Sequence, residues 1–332
     1  MSAQRRYSAP ADVTVRPLTA ADPAALLDLV RAGRAADGVA ESISLDDLRH
    51  NWFGDPTTRL ADDTFGAVAD GRLIGFCWVL AKDLPEGAVK LFIAGDVDPD
   101  ERRRGIGSDL LRRADLRANE IVSGHGPKVS SEVFLESTAE NPGRTALFLD
   151  AGYRIVRTFS TMRRATTVDL PDVPDPAGIT FVQWRPDLDE ATRLAHNDAF
   201  RDHWGSDPTG PERWQHVVSG WPGFSASASW LALDGDTVAG YTLCVAADSA
   251  APPPRLGWLG TIGVRRDYRR RGLASALIAR SLRSLRDGGA DEAGLDVDAD
   301  NPSGAPRVYA ALGFRVTRRS DIWSRTIEPR GT

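Results

Sequence analysis

The sequence IGVRRDYRRRGLASALI occupies residues 262–278. Three residues compatible with a β-strand lead into a cluster of arginines. Gly272 then opens an apolar run in which Leu273, Ala276 and Leu277 have helical spacing. The pattern predicts a strand, a basic turn and a helix. Because the first N–H groups of a helix have no intrahelical partner and the helix dipole adds positive potential, such a turn is suited to a phosphate or pyrophosphate.

A second copy of this pattern, GDVDPDERRRGIGSDLL, occupies residues 95–111. Val97 and Gly105 align with Val264 and Gly272 at one constant offset, which indicates an internal duplication. An isolated run of arginines is usually a solvated surface. Two copies at matching places, each followed by a helix that a glycine opens, favour a functional turn instead.

Length and charge limit the possible architectures and partners. At the usual ~150 residues per domain, a chain of 332 residues corresponds to about two domains. Hydrophobic residues make up 42% and charged residues 26%, as in an ordinary globular protein, and the net charge is −5. A mildly acidic chain has no general attraction for nucleic acid or for an anionic membrane, so we expect neither as a partner.

The cysteines and the apolar runs bear on the compartment. Cys77 and Cys244 both lie in apolar, strand-like runs, which is typical of reduced core residues and provides neither a disulfide framework nor a set of metal ligands. Residues 1–10 contain no apolar signal segment, and the longest apolar run, residues 73–81, is too short to cross a bilayer. We therefore expect a cytoplasmic protein without a bound metal.

Each half of the chain shows the same order of predicted elements. A strand and a helix come first, followed by two strands around an Asp-Gly turn. A strand that enters the arginine turn, one more strand and a short helix complete each half. Residues 165–178, ATTVDLPDVPDPAG, contain three prolines and are typical of a linker. We predict an α/β (α+β) protein with domains at residues 1–165 and 179–332 and a proline-rich linker at residues 166–178.

Two other nucleotide-binding motifs fit these turns poorly. The chain has no Gly-Lys-Ser/Thr of a P-loop, and residues 105–107, Gly-Ile-Gly, lack the third glycine of the dinucleotide fingerprint. Residues 102–107 (RRRGIG) and 269–274 (RRRGLA) have instead the form Arg/Gln-x-x-Gly-x-Gly/Ala after an apolar strand. With a later Asn-Pro in both halves and the terminal Leu-Gly-Phe, each half resembles a GCN5-related N-acetyltransferase (GNAT) domain. The resemblance covers nearly the whole chain.

The resemblance implies two tandem domains, each with a mixed, twisted sheet that splays apart and is flanked by helices. It also implies acetyl-CoA as the cofactor. The pyrophosphate would lie on the N–H groups of the arginine turn, and the thioester carbonyl near a strand N–H, a contact typically worth ~3 kcal/mol. The cofactor-binding residues that it implies in the second half are Ile262, Gly263, Val264, Arg269, Arg270, Arg271, Gly272, Leu273, Ala274, Ser275 and Asn301. Their counterparts in the first half are Val97, Arg102, Arg103, Arg104, Gly105, Ile106, Gly107 and Ser108.

The resemblance also implies a general acid. In the family, a tyrosine four residues before the glycine of the final Gly-Phe protonates the leaving thiolate, and that position is Tyr309. The structural alternative is a tyrosine that only packs in its helix. The first half has Phe148 at this position, and phenylalanine cannot donate a proton. We therefore expect the chemistry in the second half and an impaired first half that could still bind acyl-CoA.

The acceptor side is less defined. An ammonium nucleophile must lose its proton before it attacks. His203 and Trp204 follow the first helix of the second half, where the family places its acceptor wall, and Asp296 and Asp298 share one face of a predicted strand. These four residues are candidate substrate contacts, with His203 a candidate base. Packing in a loop or a turn is the structural alternative for each of them.

The function implied is direct transfer of an acetyl group to a primary amine of a small molecule. The tandem arrangement is also similar to the mycothiol synthase branch, which acetylates a cysteinyl amine on a pseudodisaccharide. That branch carries a glutamate where this chain has Trp258. Three alternatives stay open. The first is a mycothiol synthase-like enzyme, and the second is a non-catalytic, acyl-CoA-responsive binding module, against which Tyr309 argues. The third is protein-lysine acetylation, for which the sequence shows no peptide groove. The oligomeric state is open as well.

Overall fold

The computed structural model describes residues 10–39, 43–55, 57–84, 89–126, 129–138, 141–251, 253–301 and 303–328. The chain divides into an N-terminal unit, Met1–Arg157 with Ser320–Thr332, and a C-terminal unit, Thr158–Arg319. Both units combine a mixed β-sheet with helices, as predicted. Within the described ranges, no helix is both long and apolar enough to span a bilayer.

The N-terminal unit is built on strands in the order β1-β2-β3-β4-β5. β3 is buried on both faces, because Cys77 and Val79 pack with α4 in one core while Phe76 and Trp78 pack with α1 in the other. The elements are β1 (Thr14–Arg16), α1 (Pro23–Ala36), α2 (Leu45–Leu48), α3 (Leu60–Asp63), β2 (Thr64–Ala69), β3 (Arg72–Asp83), β4 (Val89–Val97), α4 (Ile106–Gly124), β5 (Ser131–Thr138) and α5 (Pro142–Asp150).

The C-terminal unit repeats this plan with strands in the order β6-β11-β10-β9-β8-β7. Leu282 of α8 packs on one face of the sheet with Leu259 and Leu295, and Ala195 of α6 packs on the other with Tyr241 and Leu243. The elements that follow α5 along the chain are β6 (Arg154–Ala165), β7 (Thr180–Gln183), α6 (Asp189–Ala199), α7 (Pro211–Trp214), β8 (Phe224–Asp234), β9 (Thr237–Val245), β10 (Leu256–Val264), α8 (Leu273–Asp287), β11 (Glu292–Asp298), α9 (Ala305–Ala311) and β12 (Arg315–Ile327), whose last residues belong to the N-terminal unit.

The compact units differ from the predicted boundaries at residues 165 and 179 because the two last strands are exchanged. Residues 159–165 of β6 pair antiparallel with β11 of the C-terminal unit. Residues 320–327 of β12 pair antiparallel with β5 of the N-terminal unit. Each strand thus completes the sheet of the other half of the sequence.

The proline-rich segment of residues 166–178 has no regular secondary structure, and it packs against the C-terminal unit. Asp175 binds Arg280 of α8 at 2.6 Å, and the carbonyl oxygen of Pro171 accepts a hydrogen bond from Arg283. Leu170 and Val173 pack on the core beside α8. This segment therefore belongs to the surface of the C-terminal unit, where the sequence predicted a linker between domains.

Candidate active site

The arginine turn of the C-terminal unit has a defined backbone conformation. A turn of 3₁₀ helix covers Arg266–Tyr268, Arg270 has φ +62°, and Gly272, with φ +84°, is the N-cap of α8. Left-handed backbone at two positions turns the chain sharply from β10 into the helix, and glycine tolerates it without steric cost. The first intrahelical bond runs from the N–H of Ala276 to the carbonyl of Gly272. The N–H groups of residues 273–275 thus lack an intrahelical acceptor and lie at the positive end of the helix dipole.

The side chains of this turn leave positive charge exposed. Arg269 donates to the carbonyl oxygens of Val264 and Ala199, at 3.3 and 2.7 Å. The guanidinium of Arg271 lies 5.3 Å from the ring centroid of Tyr268, and Arg270 and Arg271 are exposed. In the part of the chain that the structure describes, no carboxylate pairs with these arginines. The turn therefore offers cationic side chains beside unpaired helical N–H groups, which suits a pyrophosphate.

A gap opens in the sheet beside this turn. β10 and β11 pair in parallel only at residues 256–258 with 292–294, and then the strands diverge. The register between β10 and β9 shifts by one residue at Gly260, which is a β-bulge. The N–H of Arg265 bonds to Ala239 of β9, so strand alternation directs the N–H groups of Val264 and Ile262 away from β9 and into the gap. Two backbone donors thus line the opening.

Tyr309 lies on α9 with its ring buried, 8% exposed, against Phe314. Burial raises the pKa of Tyr309 to about 12, so the phenol keeps its proton near neutral pH. Nothing in the described residues hydrogen-bonds its Oη. Arg164 donates to the carbonyl oxygens of Leu312 and Asp169, and it thereby fixes the C-terminal end of α9. The helix that carries Tyr309 is held in place while the phenol stays available as a donor.

Asn301 forms a turn between β11 and α9. Its Oδ1 accepts hydrogen bonds from the N–H and Oγ of Ser303, at 2.8 and 2.6 Å. Gly304 has φ +77° and is the N-cap of α9. In the N-terminal unit Asn141 is itself the N-cap of α5, and its Oδ1 accepts from the N–H of Arg144. Asn301 lies eight residues before Tyr309, whereas Asn141 lies seven before Phe148, and the additional residue is absorbed at the start of α9.

Family models and known proteins match the chain along most of its length. The model described as acetyltransferase (GNAT) family matches residues 191–314, and the acetyltransferase (GNAT) domain model matches residues 61–155. The mycothiol acetyltransferase of Salinispora arenicola is 30% identical over 303 residues, which cover 88% of this chain and 91% of that protein. The mycothiol acetyltransferase of Salinispora tropica is 31% identical over 310 residues, with coverage of 90% and 91%.

The chain belongs to the GNAT acetyltransferase family. It is a tandem, mycothiol synthase-like GNAT and an N-acetyltransferase. A GCN5-related N-acetyltransferase from Sphaerobacter thermophilus is similar to it with a TM-score of 0.76 and 26% identity, covering 97% of this chain and 98% of that one. A tandem GNAT protein from the clavulanic acid biosynthesis pathway shares the fold, with a TM-score of 0.71, 22% identity and coverage of 96% and 99%.

The N-terminal unit of this GNAT keeps the backbone of the arginine turn, since Arg103 has φ +66° and Gly105 has φ +84°. β4 and β5 pair in parallel only at residues 91 and 92 with 133 and 134, so the strands also diverge there. Unlike β10, β4 pairs with its antiparallel neighbour without a register shift. Phe148, at the position of Tyr309, is 6% exposed and packs against Tyr153 and Trp323.

Carboxylates pair with Arg102 and Arg104 of the N-terminal turn. Asp96 accepts from the N–H of Val97 at 2.8 Å and lies 3.3 Å from Arg102 and 3.1 Å from Arg144. Asp37 accepts from Arg102 at 2.7 Å and from Asn141 at 2.9 Å. We refer to Asp37, Asp96, Arg102, Asn141 and Arg144 as the N-terminal ion cluster. The N–H of Val97 corresponds to the N–H of Val264 that faces the gap in the C-terminal unit. Here a side-chain carboxylate already takes that donor.

The other predicted cofactor residues of the first half follow the same geometry. Arg104 pairs with Asp12 at 2.6 Å and with Glu101. Arg103 is exposed, and Ile106 is buried. Gly107 and Ser108 lie in the first turn of α4, where a Cβ on Gly107 would meet Leu147 at 3.5 Å. The turn therefore retains its helical N–H groups but has fewer uncommitted cations than the second copy.

The four predicted acceptor residues lie on two different parts of the C-terminal unit, β11 and the loop after α6. Asp296 is exposed and accepts from Thr161 at 2.7 Å. Asp298 is 1% exposed and accepts from the N–H of Asp300 in the turn after β11. His203 and Trp204 lie together in the loop after α6, where Nδ1 of His203 is 3.1 Å from the carbonyl oxygen of Trp204. A carbonyl only accepts, so Nδ1 carries the proton, and the lone pair of His203 lies on Nε2.

Two residues that the sequence pattern did not single out join this loop to the sheet. Nδ1 of His196, on α6, is 2.7 Å from Oη of Tyr241, on β9. The His196 ring stacks on Phe200 at 4.7 Å and lies 5.1 Å from Trp214, and Phe200 is 5.2 Å from the His203 ring. We refer to His196, Phe200, His203, Trp214 and Tyr241 as the aromatic wall. His196 lies on α6, the helix that precedes the loop of His203, but helical spacing alone assigns it to a core.

Proposed function

We propose that the C-terminal unit transfers the acetyl group of acetyl-CoA to a primary amine of a small molecule. The observation that carries the proposal is the gap between β10 and β11, with the N–H groups of Ile262 and Val264 directed into it. The exposed arginine turn stands at the end of the same strand. An extended ligand arm can pair with such a strand edge while its phosphates lie on the helix N-terminus.

The residues present fit acetyl-CoA. The N–H groups of residues 273–275 with Arg270 and Arg271 would hold the pyrophosphate, and the N–H groups of Ile262 and Val264 would hold the arm and the thioester carbonyl. The Oδ1 of Asn301 is committed to Ser303, so its Nδ2 is the atom that would contact the arm. Acetyl-CoA, when bound, supplies an activated acetyl thioester. Gly272 and Ala274 keep side chains away from the phosphates.

The chain's own groups would move the protons. The Nε2 lone pair of His203 would accept the proton that the ammonium nucleophile must lose. A strand N–H at Ile262 would stabilise the developing oxyanion, which is worth ~3 kcal/mol for one donor in place. Tyr309 would donate its proton to the leaving thiolate, and solvent would return one to the phenol. The raised pKa of Tyr309 keeps this donor protonated over the working range.

We propose that the N-terminal unit contributes no second transferase site. Phe148 cannot donate a proton, and the N-terminal ion cluster takes the N–H of Val97 and the Arg102 guanidinium. β4 also lacks the bulge that β10 has at Gly260. We therefore propose one working cofactor site per chain, with residues 102–108 of the first half as a retained fold element.

We propose that the acceptor is a small-molecule amine. Relatives at about 30% identity are named mycothiol acetyltransferases, which favours a small molecule over a protein lysine. At the position where the resemblance implies a glutamate in that branch, this chain has Trp258, whose ring lies 2.3 Å from where a Cβ on Gly294 would stand. An indole cannot accept a proton in place of a carboxylate. We therefore propose a related amine acetyltransferase and leave its acceptor unassigned within that class.

Calorimetric titration with acetyl-CoA, without any amine, tests the cofactor site. We expect one equivalent to bind, and binding to be lost in Gly272→Ala but retained in Gly105→Ala. Two equivalents would show that the N-terminal turn is also a site. No binding would overturn the acetyltransferase proposal, and binding without thiol release across a panel of primary amines would favour the acyl-CoA-responsive module.

A further inference from the structure

The contact between His196 and Tyr241 lies next to the strand residues assigned to the thioester. A Cβ placed on Gly263 would lie 2.5 Å from Oη of Tyr241 and 2.6 Å from its ring. Gly263 stands between Ile262 and Val264, the two residues whose N–H groups enter the gap. The phenol of Tyr241 thus rests on the backbone of β10 at this point, and His196 is its hydrogen-bond partner at 2.7 Å.

The N-terminal unit fills the same layer in a different way. Gly33 occupies the place on α1 that His196 occupies on α6, and Asp96 occupies the place of Gly263. A Cβ on Gly33 would lie 2.2 Å from Oδ2 of Asp96, so the strand side chain there covers the helix. In the C-terminal unit the strand has no side chain and the helix supplies the imidazole. The two units therefore place different polar groups at this position, the Asp96 carboxylate in one and the His196 imidazole in the other.

The hydrogen bond of the Tyr241 phenol determines the tautomer of His196. Tyr241 is fully buried, and burial raises the pKa of its phenol, so the phenol remains protonated. Among the described residues, Nδ1 of His196 is the one partner of Oη. A buried hydroxyl that only accepted would leave its own proton without a partner. The phenol therefore donates to Nδ1, and the imidazole carries its proton on Nε2.

Nε2 of His196 is directed away from this bond. It makes no hydrogen bond with the described residues, and the imidazole is partly exposed. Burial lowers the pKa of His196 to about 4, with a smaller effect from His203, so the ring is neutral near pH 7. The aromatic wall thus presents two imidazoles beside Phe200, with a donor at Nε2 of His196 and an acceptor at Nε2 of His203.

We infer that the Nε2–H of His196 binds the acceptor molecule and selects amines that carry a hydrogen-bond-accepting oxygen close to the nucleophilic nitrogen. The inference rests on the proposed function, because it names the acceptor class of the same site. A neutral donor favours a carbonyl or hydroxyl oxygen and gives no advantage to a second cationic group. Phe200 stacks on the imidazole and Trp214 packs beside it at a tilt, so the direction of Nε2 is set before the acceptor binds.

Matched amines test this selection. Thiol release from acetyl-CoA is measured with glycinamide and ethanolamine against propylamine, which lacks the oxygen. We expect the intact chain to prefer the oxygen-bearing amines, and His196→Ala to lower that preference about tenfold, through KM. Acetyl-CoA affinity, measured by calorimetry, should change little, because the arginine turn is left intact. His196→Asn should restore part of the preference, because its amide can still donate.

The same variants separate the possible failures. An unchanged preference in His196→Ala overturns the inference, as does turnover of none of these amines by a chain that binds acetyl-CoA. Failure to bind acetyl-CoA overturns the proposed function itself. Nitrogen-15 NMR of the histidine rings is an independent readout. We expect the Nε2–H tautomer for His196 in the unaltered chain, and in Tyr241→Phe we expect His196 to prefer this tautomer no longer. An Nδ1–H tautomer in the unaltered chain would also overturn the inference.

Discussion

Oδ2 of Asp96, on β4, lies 2.2 Å from the position that a Cβ on Gly33, in α1, would occupy. The glycine is therefore required by the carboxylate that covers it, within the last turn of a helix, where glycine is otherwise unfavourable. The carboxylate in turn accepts from Val97 and pairs with Arg102 and Arg144. The Asp96 carboxylate thus fills a position in the N-terminal unit where the C-terminal unit has Gly263 and no side chain.

We predict that Gly33→Ala destabilises the protein by about 1–3 kcal/mol, the usual cost of overpacking. In an unobstructed helix the same change would stabilise by about 1 kcal/mol. Chemical denaturation measures the difference, and Asp96→Gly in the same chain is the control, since it removes the obstructing carboxylate. Additive effects of the two substitutions would show that the residues do not meet.

Gly272→Ala and Gly105→Ala form a matched pair, because both glycines have φ +84° and both are helix N-caps. Each alanine should cost about 1–2 kcal/mol of stability, from the left-handed backbone. Acetyl-CoA binding, measured by calorimetry, should be lost or weakened more than tenfold only in Gly272→Ala. Equal losses of affinity in both variants would assign cofactor sites to both turns.

Tyr309→Phe should lower kcat about 100-fold or more and leave acetyl-CoA affinity nearly unchanged, because in the proposed mechanism the phenol protonates the leaving thiolate. Steady-state thiol release measures the effect. Tyr153→Phe is the control: Tyr153 donates to Asp115 at 2.6 Å in the N-terminal unit, so its loss should affect stability and leave kcat intact. A Tyr309→Phe enzyme with full turnover would exclude the tyrosine as the acid.

His196 should make folding stability depend on pH. Its pKa is about 4 in the folded protein and ~6.5 in an unfolded chain, so the unfolded state binds more protons between these values. Stability should therefore fall as the pH drops from about 6.5 towards 4 and should be insensitive to this group above about 7. The ring of His203 lies 5.2 Å from that of Phe200, and electrostatic interaction with His203 adds to the lowering of the His196 pKa.

Urea denaturation between pH 4 and pH 7.5 checks the sign. We expect the stability of His196→Asn to be flatter across this range than that of the unaltered chain, because asparagine does not titrate. His203→Asn is the control that keeps His196 in place. An identical slope for the unaltered chain and His196→Asn would contradict the assignment.

Much of the fold followed from local pattern. The Asp70-Gly71 and Asp234-Gly235 turns predicted two hairpins, and β2–β3 and β8–β9 form them. The arginine turns were predicted because strand, glycine and helix signals are all local there, and both copies adopt the same left-handed geometry. By contrast, β6 and β12 have similar strand patterns, so nothing local states which half of the chain each one pairs with.

The candidate site divides in the same way. Tyr309 and the residues of the loop could be named from motif spacing, and the structure places them on the expected helix and turn. Asp296 and Asp298 share a strand but differ in exposure, since burial depends on what packs above each position. His196 and Tyr241 are 45 residues apart, and no periodicity links them.

The sequence by itself determined the duplication, the two arginine turns and the unequal chemistry of Tyr309 and Phe148, because these depend on residue identity and short spacing. Only the tertiary structure decided which turn keeps uncommitted cations, which sheet each last strand completes and which imidazole meets the Tyr241 phenol. Those outcomes depend on contacts between residues far apart in the chain. They follow from packing and charge pairing across the sheet, where the side chain at one position decides what its distant neighbour can do.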